Sequence, residues 1–228
     1  MKNLPILIFG ILCSLAFSVM GVVLSSNIQL GGLTQTTEVL DELGNPTAGD
    51  PLYPAKMPGN AQQGEAVYAD LGCVACHTQQ VRRPLKKSGA EGEAVVSSDI
   101  EREWGKRHTV ARDYVTQGRV LIGSKRVGPD LKTVGERRQD KNWHHLHLYN
   151  PKATSGGLSI MPQFAFLYDT RAIEGTASAN ALQFPEGSPF APAAGYEVVP
   201  SQRAEALVEY LLSLKLNYSL PEAQIPEE

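Results

Sequence analysis

The sequence predicts an all-α domain joined to an N-terminal transmembrane helix, and three patterns of apolar residues lead to this prediction. The first is the run Leu4–Leu24, which contains no charged residue. In the second, Val67, Leu71 and Val74 recur at i, i+4 and i+7, the period of one helix face. The third follows Ser201, where four apolar residues form a second stripe: Leu207, Tyr210, Leu211 and Leu214.

The run Leu4–Leu24 has the length that a helix needs to cross the hydrocarbon core of a membrane, about 20 residues. It is longer than the apolar region of an ordinary signal peptide, and no clear small-x-small cleavage site follows it. We therefore expect residues 1–25 to be an anchor, with a cleaved signal peptide as the alternative. Lys2 precedes the span and four acidic residues follow it: Glu38, Asp41, Glu42 and Asp50. This asymmetry predicts that the rest of the chain lies outside the cytoplasmic membrane.

The overall composition narrows the classes of protein that the chain can be. Its 228 residues are enough for one domain with a core plus appendages, and its formal net charge of −3 gives no reason to expect a nucleic-acid partner. Basic charge is confined to the middle: residues 78–141 contain fifteen Lys or Arg against nine Asp or Glu, a net of +6, so the rest carries −9. This segment is either a solvated surface of mixed charge or a docking face for an acidic partner.

The pentapeptide Cys73-Val74-Ala75-Cys76-His77 predicts the chemistry of the domain. Two thiols three residues apart with a histidine directly behind them match the attachment site of a c-type haem, in which the thiols form thioethers and the imidazole ligates the iron. A thioredoxin-like pair has no use for the trailing histidine. A zinc site would need a second pair of ligands, and the third cysteine, Cys13, lies in the apolar run, where it is expected to act as a small hydrophobe. We expect one covalently attached haem c.

Residues 26–60 are rich in Gly, Pro, Asn and Thr and show no helical or strand periodicity, so they are predicted to form a linker. A helix is expected to begin near Ala61 and to lead into Cys73. The charged stretch 82–122 is predicted to be an insertion with short helices near Glu101–Arg107 and Ala111–Gln117.

The segment Gly123–Leu131 is predicted to be rich in turns, and Lys141–Leu148 to be a short helix that ends at Asn150-Pro151. Residues 170–200 are rich in Ala, Gly, Pro and Ser and are predicted to form a second loop-like insertion. Ser201 is the expected N-cap of the closing helix. The polar tail, residues 217–228, is expected to fray.

These residues resemble the class I cytochromes c. Gly64 and Tyr68, ahead of Gly72-Cys73, resemble the amino-terminal helix of that family, and Arg203–Leu216 resembles the carboxy-terminal helix that crosses it. The resemblance implies an all-α class I cytochrome c domain over residues 61–216, in which the glycine and the aromatic ring allow a close crossing.

A narrower resemblance covers about Gly64–Leu167. It runs through His77–Arg82, Gly123–Leu131, Trp143–Pro151 and Ser159–Pro162, which are similar to the mono-haem cytochrome c subunit of cbb3-type haem-copper oxidases. That subunit is anchored in the membrane and periplasmic. Residues 170–200 and the closing helix are more like a generic cytochrome c ending.

Met161 is predicted to be the distal iron ligand, because it precedes Pro162 in a turn-like segment and coincides with the Met-Pro ligand position of the family. A packing methionine is the alternative. The rival ligands are three clustered histidines, whose expected place is a helix surface: His144, His145 and His147. The resemblance also implies that Pro129 accepts a hydrogen bond from His77 Nδ1, and that Lys125 and Arg126 neutralise haem propionates.

The resemblance implies an electron relay on the outer face of the cytoplasmic membrane. Electrons would pass to the catalytic subunit of a cbb3-type oxidase, with other cytochrome subunits as further partners, and no catalysis is expected from this chain alone. One alternative is a tethered cytochrome that serves another respiratory complex. Another is a haem protein with an open distal site that binds a gas or peroxide.

Overall fold

The computed structural model of the chain describes residues 3–83 and 98–226. Its contacts divide the chain into two compact units, one formed by Met1–Ala55 with Val110–Gln117 and the other by Lys56–Thr109 with Gly118–Glu228. Residues 84–97 of the predicted first insertion lie outside the described residues. So does Lys2, which supports the predicted orientation in the membrane.

The first unit is built on one long helix, α1, which spans Leu4–Leu30 and has a π-helical segment at Val19–Leu24. None of its residues is buried, although nearly all are apolar up to Leu24. A helix whose apolar side chains all face outwards suits an apolar solvent such as the interior of a bilayer. Judged on length and composition, α1 can cross a membrane.

The predicted linker has more structure than its composition suggests. The helix α1 continues to Leu30, and antiparallel bridges then join Thr36 to Tyr53 and Leu40 to Pro46. The same unit contains the 3₁₀ helix Ala111–Tyr114, in which the Arg112 guanidinium donates a hydrogen bond to the Thr34 carbonyl oxygen at 2.6 Å. The contact of Arg112 with Thr34 joins residues 78 apart, so local periodicity gave no sign of it.

The second unit is organised by two helices that cross closely, α2 (Gly59–Asp70) and α6 (Gln202–Ser213). A Cβ atom at Gly64 would overlap the carbonyl oxygen of Ala206, so only glycine permits this approach. The rings of Tyr68 and Tyr210 meet beside the crossing, with centroids 5.3 Å apart. Both predicted helices are thus present, and α6 begins after Ser201, whose side chain accepts a hydrogen bond from the Ala204 amide as an N-cap does.

Shorter elements complete the second unit. The helices α3, α4 and α5 span Ser98–Glu101, Val134–Arg137 and Lys141–Tyr149, and single 3₁₀ turns form at Cys73–Ala75, Pro151–Ala153 and Ala165–Leu167. The predicted helix at Lys141–Leu148 is confirmed. The one expected at Glu101–Arg107 lies earlier in the chain, as α3, and the expected helix at Ala111–Gln117 is the short 3₁₀ helix of the first unit.

The prediction of an all-α fold is wrong. Strands β1 (Tyr168–Ala172) and β2 (Tyr196–Pro200) form an antiparallel sheet, from the pair Tyr168 and Pro200 to the pair Ala172 and Tyr196, and helices cover only 39% of the chain. The strands flank the stretch that looked like a loop. Each is five residues long and is stabilised by burial of Val198 and Val199 in the core, a tertiary effect that composition does not show.

The core of the second unit gathers α2, α5, α6 and the two strands around one apolar cluster. Its most buried members come mainly from α6: Ala204, Leu207, Val208 and Tyr210. The tail also contributes to the interior, because Tyr218, Leu220 and Ala223 are buried. The expectation of a frayed tail came from its polar residues, whereas its few apolar ones are enough to hold it against the domain.

Candidate haem site

The two thiols and the imidazole lie on one tight turn that follows α2. The helix ends at Asp70, and Gly72 turns the chain with φ of 72°, in the left-handed region that favours glycine. The carbonyl oxygen of Cys73 then accepts hydrogen bonds from the amides of Cys76 (3.1 Å) and His77 (3.0 Å). A single 3₁₀ turn therefore fixes the spacing of the motif.

The imidazole of His77 is held by a segment 52 residues away in the sequence. Its Nδ1 lies 2.8 Å from the carbonyl oxygen of Pro129, which can only accept a hydrogen bond. In the neutral ring this contact places the proton on Nδ1 and leaves the lone pair of Nε2 available to a metal. This is the contact that the resemblance predicts.

Gly128 provides the surface on which the imidazole rests. A Cβ atom at this position would overlap Cε1 of His77 and would lie 2.8 Å from Nδ1. The amide of Gly128 also donates to the carbonyl oxygen of Cys76 at 3.0 Å, which joins the segment directly to the motif. Sequence reasoning gave Gly128 no role, although a glycine before Pro129 is a signal for close approach of the backbone.

The two cysteines are unpaired, with Cys73 half-buried and Cys76 exposed. Burial raises the pKa of the Cys73 thiol to about 11. A thioredoxin-like pair needs a thiol whose pKa is lowered, so this environment disfavours that alternative. Among the described residues no group of three or more His, Cys, Asp or Glu is placed to hold a metal ion.

Met161 lies at the end of a loop that hydrogen bonds define. The Ser155 hydroxyl donates to the Pro151 carbonyl oxygen at 2.8 Å and accepts from the Ser159 amide at 3.0 Å, while the Met161 amide donates to the Ser159 hydroxyl at 3.2 Å. The loop turns at Gly156 and Gly157, both with positive φ. Met161 itself is half-buried and packs against the core, so its thioether is held in place without being fully enclosed.

The three clustered histidines were expected on a helix surface, and this is wrong for two of them. His144 and His145 are buried, because α5 packs against α6 and the His145 ring meets the ring of Tyr168 in β1. His144 Nε2–H donates to the Arg138 carbonyl oxygen at 2.7 Å, and His145 Nδ1 is 3.1 Å from the Tyr168 hydroxyl.

The third histidine, His147, is half-buried. Its ring stacks on Trp143 with centroids 4.8 Å apart, and its Nδ1 is 2.6 Å from the Thr154 hydroxyl. Burial lowers the pKa of all three histidines, to about 4 for His145 and His147. Their side chains thus contribute to the packing of α5.

The two cations predicted to face propionates have different surroundings. Lys125 is exposed, and its predicted role stays a prediction. The Arg126 guanidinium instead makes hydrogen bonds to protein oxygens through Nε, Nη1 and Nη2, chiefly those of Thr78 and Asp99. Sequence reasoning missed Asp99 and Asp130, whose carboxylates are fully buried beside it.

Three features together fit one haem. They are a turn with two thiols and an imidazole that can bind a metal, a half-buried methionine on a separate loop, and two closely crossed helices. They define the chain as a haem-binding cytochrome with an apolar N-terminal helix. The sequence belongs to the family described as "Cytochrome C oxidase, mono-heme subunit/FixO", whose profile matches residues 54–184. Membership implies a subunit of a cytochrome c oxidase complex of the cbb3 type that carries one haem. No curated protein matched the sequence.

The family match extends further than the predicted resemblance at both ends. It begins ten residues before Gly64 and continues past Leu167 to residue 184, so it includes β1 and part of the segment that had looked divergent. The closing helix α6 lies beyond it.

Proposed function

We propose that this chain is a membrane-anchored electron relay that passes electrons one at a time to the catalytic subunit of its oxidase complex. Cys73 and Cys76 would hold the haem covalently, and His77 and Met161 would ligate its iron. When bound, the haem supplies a one-electron Fe(III)/Fe(II) couple. The observation that carries the proposal is the fixed imidazole of His77, with Pro129 on its Nδ1 and Gly128 against its ring.

The residues of the site suit an electron relay because hydrogen bonds within the domain hold their side chains in place. Pro129 sets the tautomer of His77 and makes the imidazole a stronger donor. The loop that ends at Met161 is built from its own hydrogen bonds, so it would hold the thioether in the same place for either oxidation state of a bound haem. A site that rearranges little between the two states allows fast electron exchange.

The family and the apolar helix α1 place the protein at a membrane, and the proposed side is the outer one. The support is the distribution of positive charge about the span: Lys2 precedes it, and residues 25–50 contain no Lys or Arg. Protease added to spheroplasts should cleave the second unit, and full protection in spheroplasts that lyse normally afterwards would contradict this placement.

The attachment claim is tested by replacing both thiols. A Cys73→Ala, Cys76→Ala double variant should show no haem staining on a denaturing gel, whereas the wild-type chain stains. Cys13→Ala is the matched control, since Cys13 lies in α1, and it should stain like the wild type. Covalent haem in the double variant would refute the proposal.

The relay claim is tested on the purified oxidase complex with Met161→Ala. The variant should lower the reduction potential of this haem, remove the sulfur-to-iron charge-transfer band and slow electron delivery to the catalytic subunit. Met57→Ala is the control, because Met57 is also half-buried against the core. Carbon monoxide binding by the intact reduced wild-type chain would favour an open gas site instead.

A further inference from the structure

A buried cluster of three charged side chains lies next to the haem motif. The Arg126 guanidinium contacts Asp99 Oδ1 at 2.5 Å and Asp130 Oδ2 at 3.5 Å. The arginine side chain is 11% exposed and both carboxylates are 0% exposed. Asp99 belongs to α3, in the insertion that the sequence marked only as charged. The cluster has one positive and two negative groups, so it needs further donors to be stable.

Those further donors come from the chain that directly follows His77. Asp130 Oδ2 accepts from the Thr78 hydroxyl at 2.5 Å and from the Gln80 amide at 2.7 Å, and Asp99 Oδ2 accepts from the Arg82 amide at 2.7 Å. Residues 78–82 are thus bound at three points to two buried carboxylates.

Arg126 contacts the same stretch directly. Its Nε donates to the Thr78 hydroxyl at 2.7 Å and its Nη2 to the Gln80 carbonyl oxygen at 2.5 Å. The guanidinium also lies over the ring of Trp104, 5.4 Å from the centroid. All three guanidinium nitrogens donate hydrogen bonds to oxygen atoms of the protein. We call the cluster of Arg126, Asp99 and Asp130 the clamp.

The clamp also fixes the segment that touches the imidazole. Arg126 and Asp130 are the two ends of a five-residue stretch that contains Gly128 and Pro129, the two residues in contact with the His77 ring. With both ends held, the Pro129 carbonyl oxygen keeps its place opposite Nδ1.

Burial raises the pKa of Asp99, but hydrogen bonds from Arg126 and from the Arg82 amide outweigh this and lower it overall, so the carboxylate stays charged.

We propose that Arg126 and Asp99 are positioning residues that hold the His77 imidazole in the orientation iron requires. The inference rests on the proposed function. An imidazole whose Nδ1–H is firmly hydrogen-bonded is a stronger electron donor and favours Fe(III), so it lowers the reduction potential. Loosening the clamp should weaken that hydrogen bond and shift the potential to a more positive value.

The competing role for Arg126, neutralising a propionate, predicts different results. If Arg126 acts only through its charge, Arg126→Gln should make the potential more negative, because a nearby positive charge is lost, and Arg126→Lys should leave it nearly unchanged. If Arg126 positions His77, both substitutions should make it more positive, since a lysine cannot reproduce the fork of a guanidinium.

The experiment is a redox titration of the full-length, haem-loaded protein carrying Arg126→Lys or Arg126→Gln. The matched control is Arg171→Gln, which removes an arginine paired with the buried Glu197 in the hairpin. A positive shift in both Arg126 variants and none in the control supports the proposal. An unchanged potential in Arg126→Lys, a negative shift in Arg126→Gln or an equal shift in the control would overturn it.

A second measurement needs no arginine variant, in case those variants lose haem. Amide hydrogen exchange in the wild-type protein should be slow at Gln80 and Arg82, whose amides donate to the buried carboxylates. Asp99→Asn should speed exchange at Arg82 by at least tenfold and leave Ser178, which donates to Glu197, unchanged. Fast exchange at Gln80 and Arg82 in the wild type would refute the clamp. Failure of the proposed function would show differently, as absent covalent haem or absent electron delivery.

Discussion

The imidazole of His77 rests on Gly128, and this contact depends on the absence of a single carbon atom. A Cβ atom at Gly128 would overlap Cε1 of the ring, so the ring or the segment would have to move. Because that segment also carries Pro129, the displacement would disturb the hydrogen bond to Nδ1 as well. A substitution of very small size should therefore affect the metal site first.

We expect Gly128→Ala to reduce haem incorporation and to alter the spectrum of the haem that is bound. Overpacking of this kind costs about 1–3 kcal/mol. Haem content per chain and the visible spectrum are the measurements. Gly118→Ala is the control, because a Cβ atom there meets nothing within 4 Å. Equal haem content and identical spectra in the two variants would contradict the role given to Gly128.

His145 makes the stability of the second unit depend on pH. Burial lowers its pKa from 6.5 to about 4, and its ring faces the Tyr168 hydroxyl and, at 3.7 Å, a carboxylate oxygen of Glu205. Between these two pKa values the unfolded chain binds a proton that the folded chain does not. The stabilisation is therefore complete above pH 6.5 and is lost as the pH falls towards 4.

We expect the free energy of unfolding to fall by up to about 3 kcal/mol through His145 between pH 6.5 and 4. His145→Gln should remove that part of the pH dependence, leaving the part due to His144 and His147. Tryptophan fluorescence suits the measurement, since Trp104 and Trp143 both belong to the second unit. The same slope against pH in wild type and variant would show that His145 titrates normally.

At the level of residues, the sequence predicted what nearest neighbours determine and missed what distant ones do. The order Cys73, Cys76, His77 is local, and family resemblance supplied Pro129. The role of Asp99 depends on a fold that brings it to Arg126, 27 residues away. Arg126 looked like an exposed cation for the same reason.

The crossing of α2 and α6 is the element-level feature on which the domain depends. Glycine at position 64 lets the helix backbones approach, and the buried Gln79, two residues after His77, donates a hydrogen bond of 2.8 Å to the Tyr210 hydroxyl of α6. Gly135 likewise allows α4 to approach α6 closely, since a Cβ atom there would overlap the Leu212 carbonyl oxygen. The closing helix α6 is thus hydrogen-bonded directly to the segment that follows the Cys73–His77 motif.

Gly64→Ala should destabilise the second unit by about 1–3 kcal/mol, because the two helices must separate to admit a methyl group. Chemical unfolding followed by tryptophan fluorescence provides the measurement. The control is Gln63→Ala, at an exposed position of the same helix, which should change stability by no more than about 0.5 kcal/mol. Equal stability of the two variants would mean that the crossing tolerates a side chain.

Helices with a clear apolar stripe were predictable, and the β hairpin was not. The stripe of α6 depends on spacing within twelve residues, whereas β1 and β2 are separated by a long stretch rich in Gly and Pro. Their pairing is fixed by tertiary contacts such as Glu197, which binds Arg171 and Ser178. Hydrogen bonds from the Ser178 side chain and amide, and then from Arg171, lower the pKa of Glu197 to about 2.

For the molecule as a whole, α1 is the helix that is long and apolar enough to cross a membrane. We expect the Leu12→Arg, Leu15→Arg double variant to lose stable membrane association, since a charge near the middle of a span costs about 2.5–3.5 kcal/mol per residue. Extraction of membranes with alkaline carbonate measures this. Leu43→Arg is the control, because Leu43 lies outside α1 and is 86% exposed. A double variant that resists extraction like the wild type would contradict the anchoring role.

The length of α1 has a further consequence for how the protein is held at a membrane. At 1.5 Å per residue its 27 residues reach about 40 Å, while the hydrocarbon layer is about 30 Å thick. The surplus falls where polar residues gather at its C-terminal end: Ser25, Ser26, Asn27 and Gln29. A protein anchored by such a helix diffuses in the plane of the bilayer. Dilution of the surrounding solution therefore does not lower its effective concentration relative to another protein in the same bilayer.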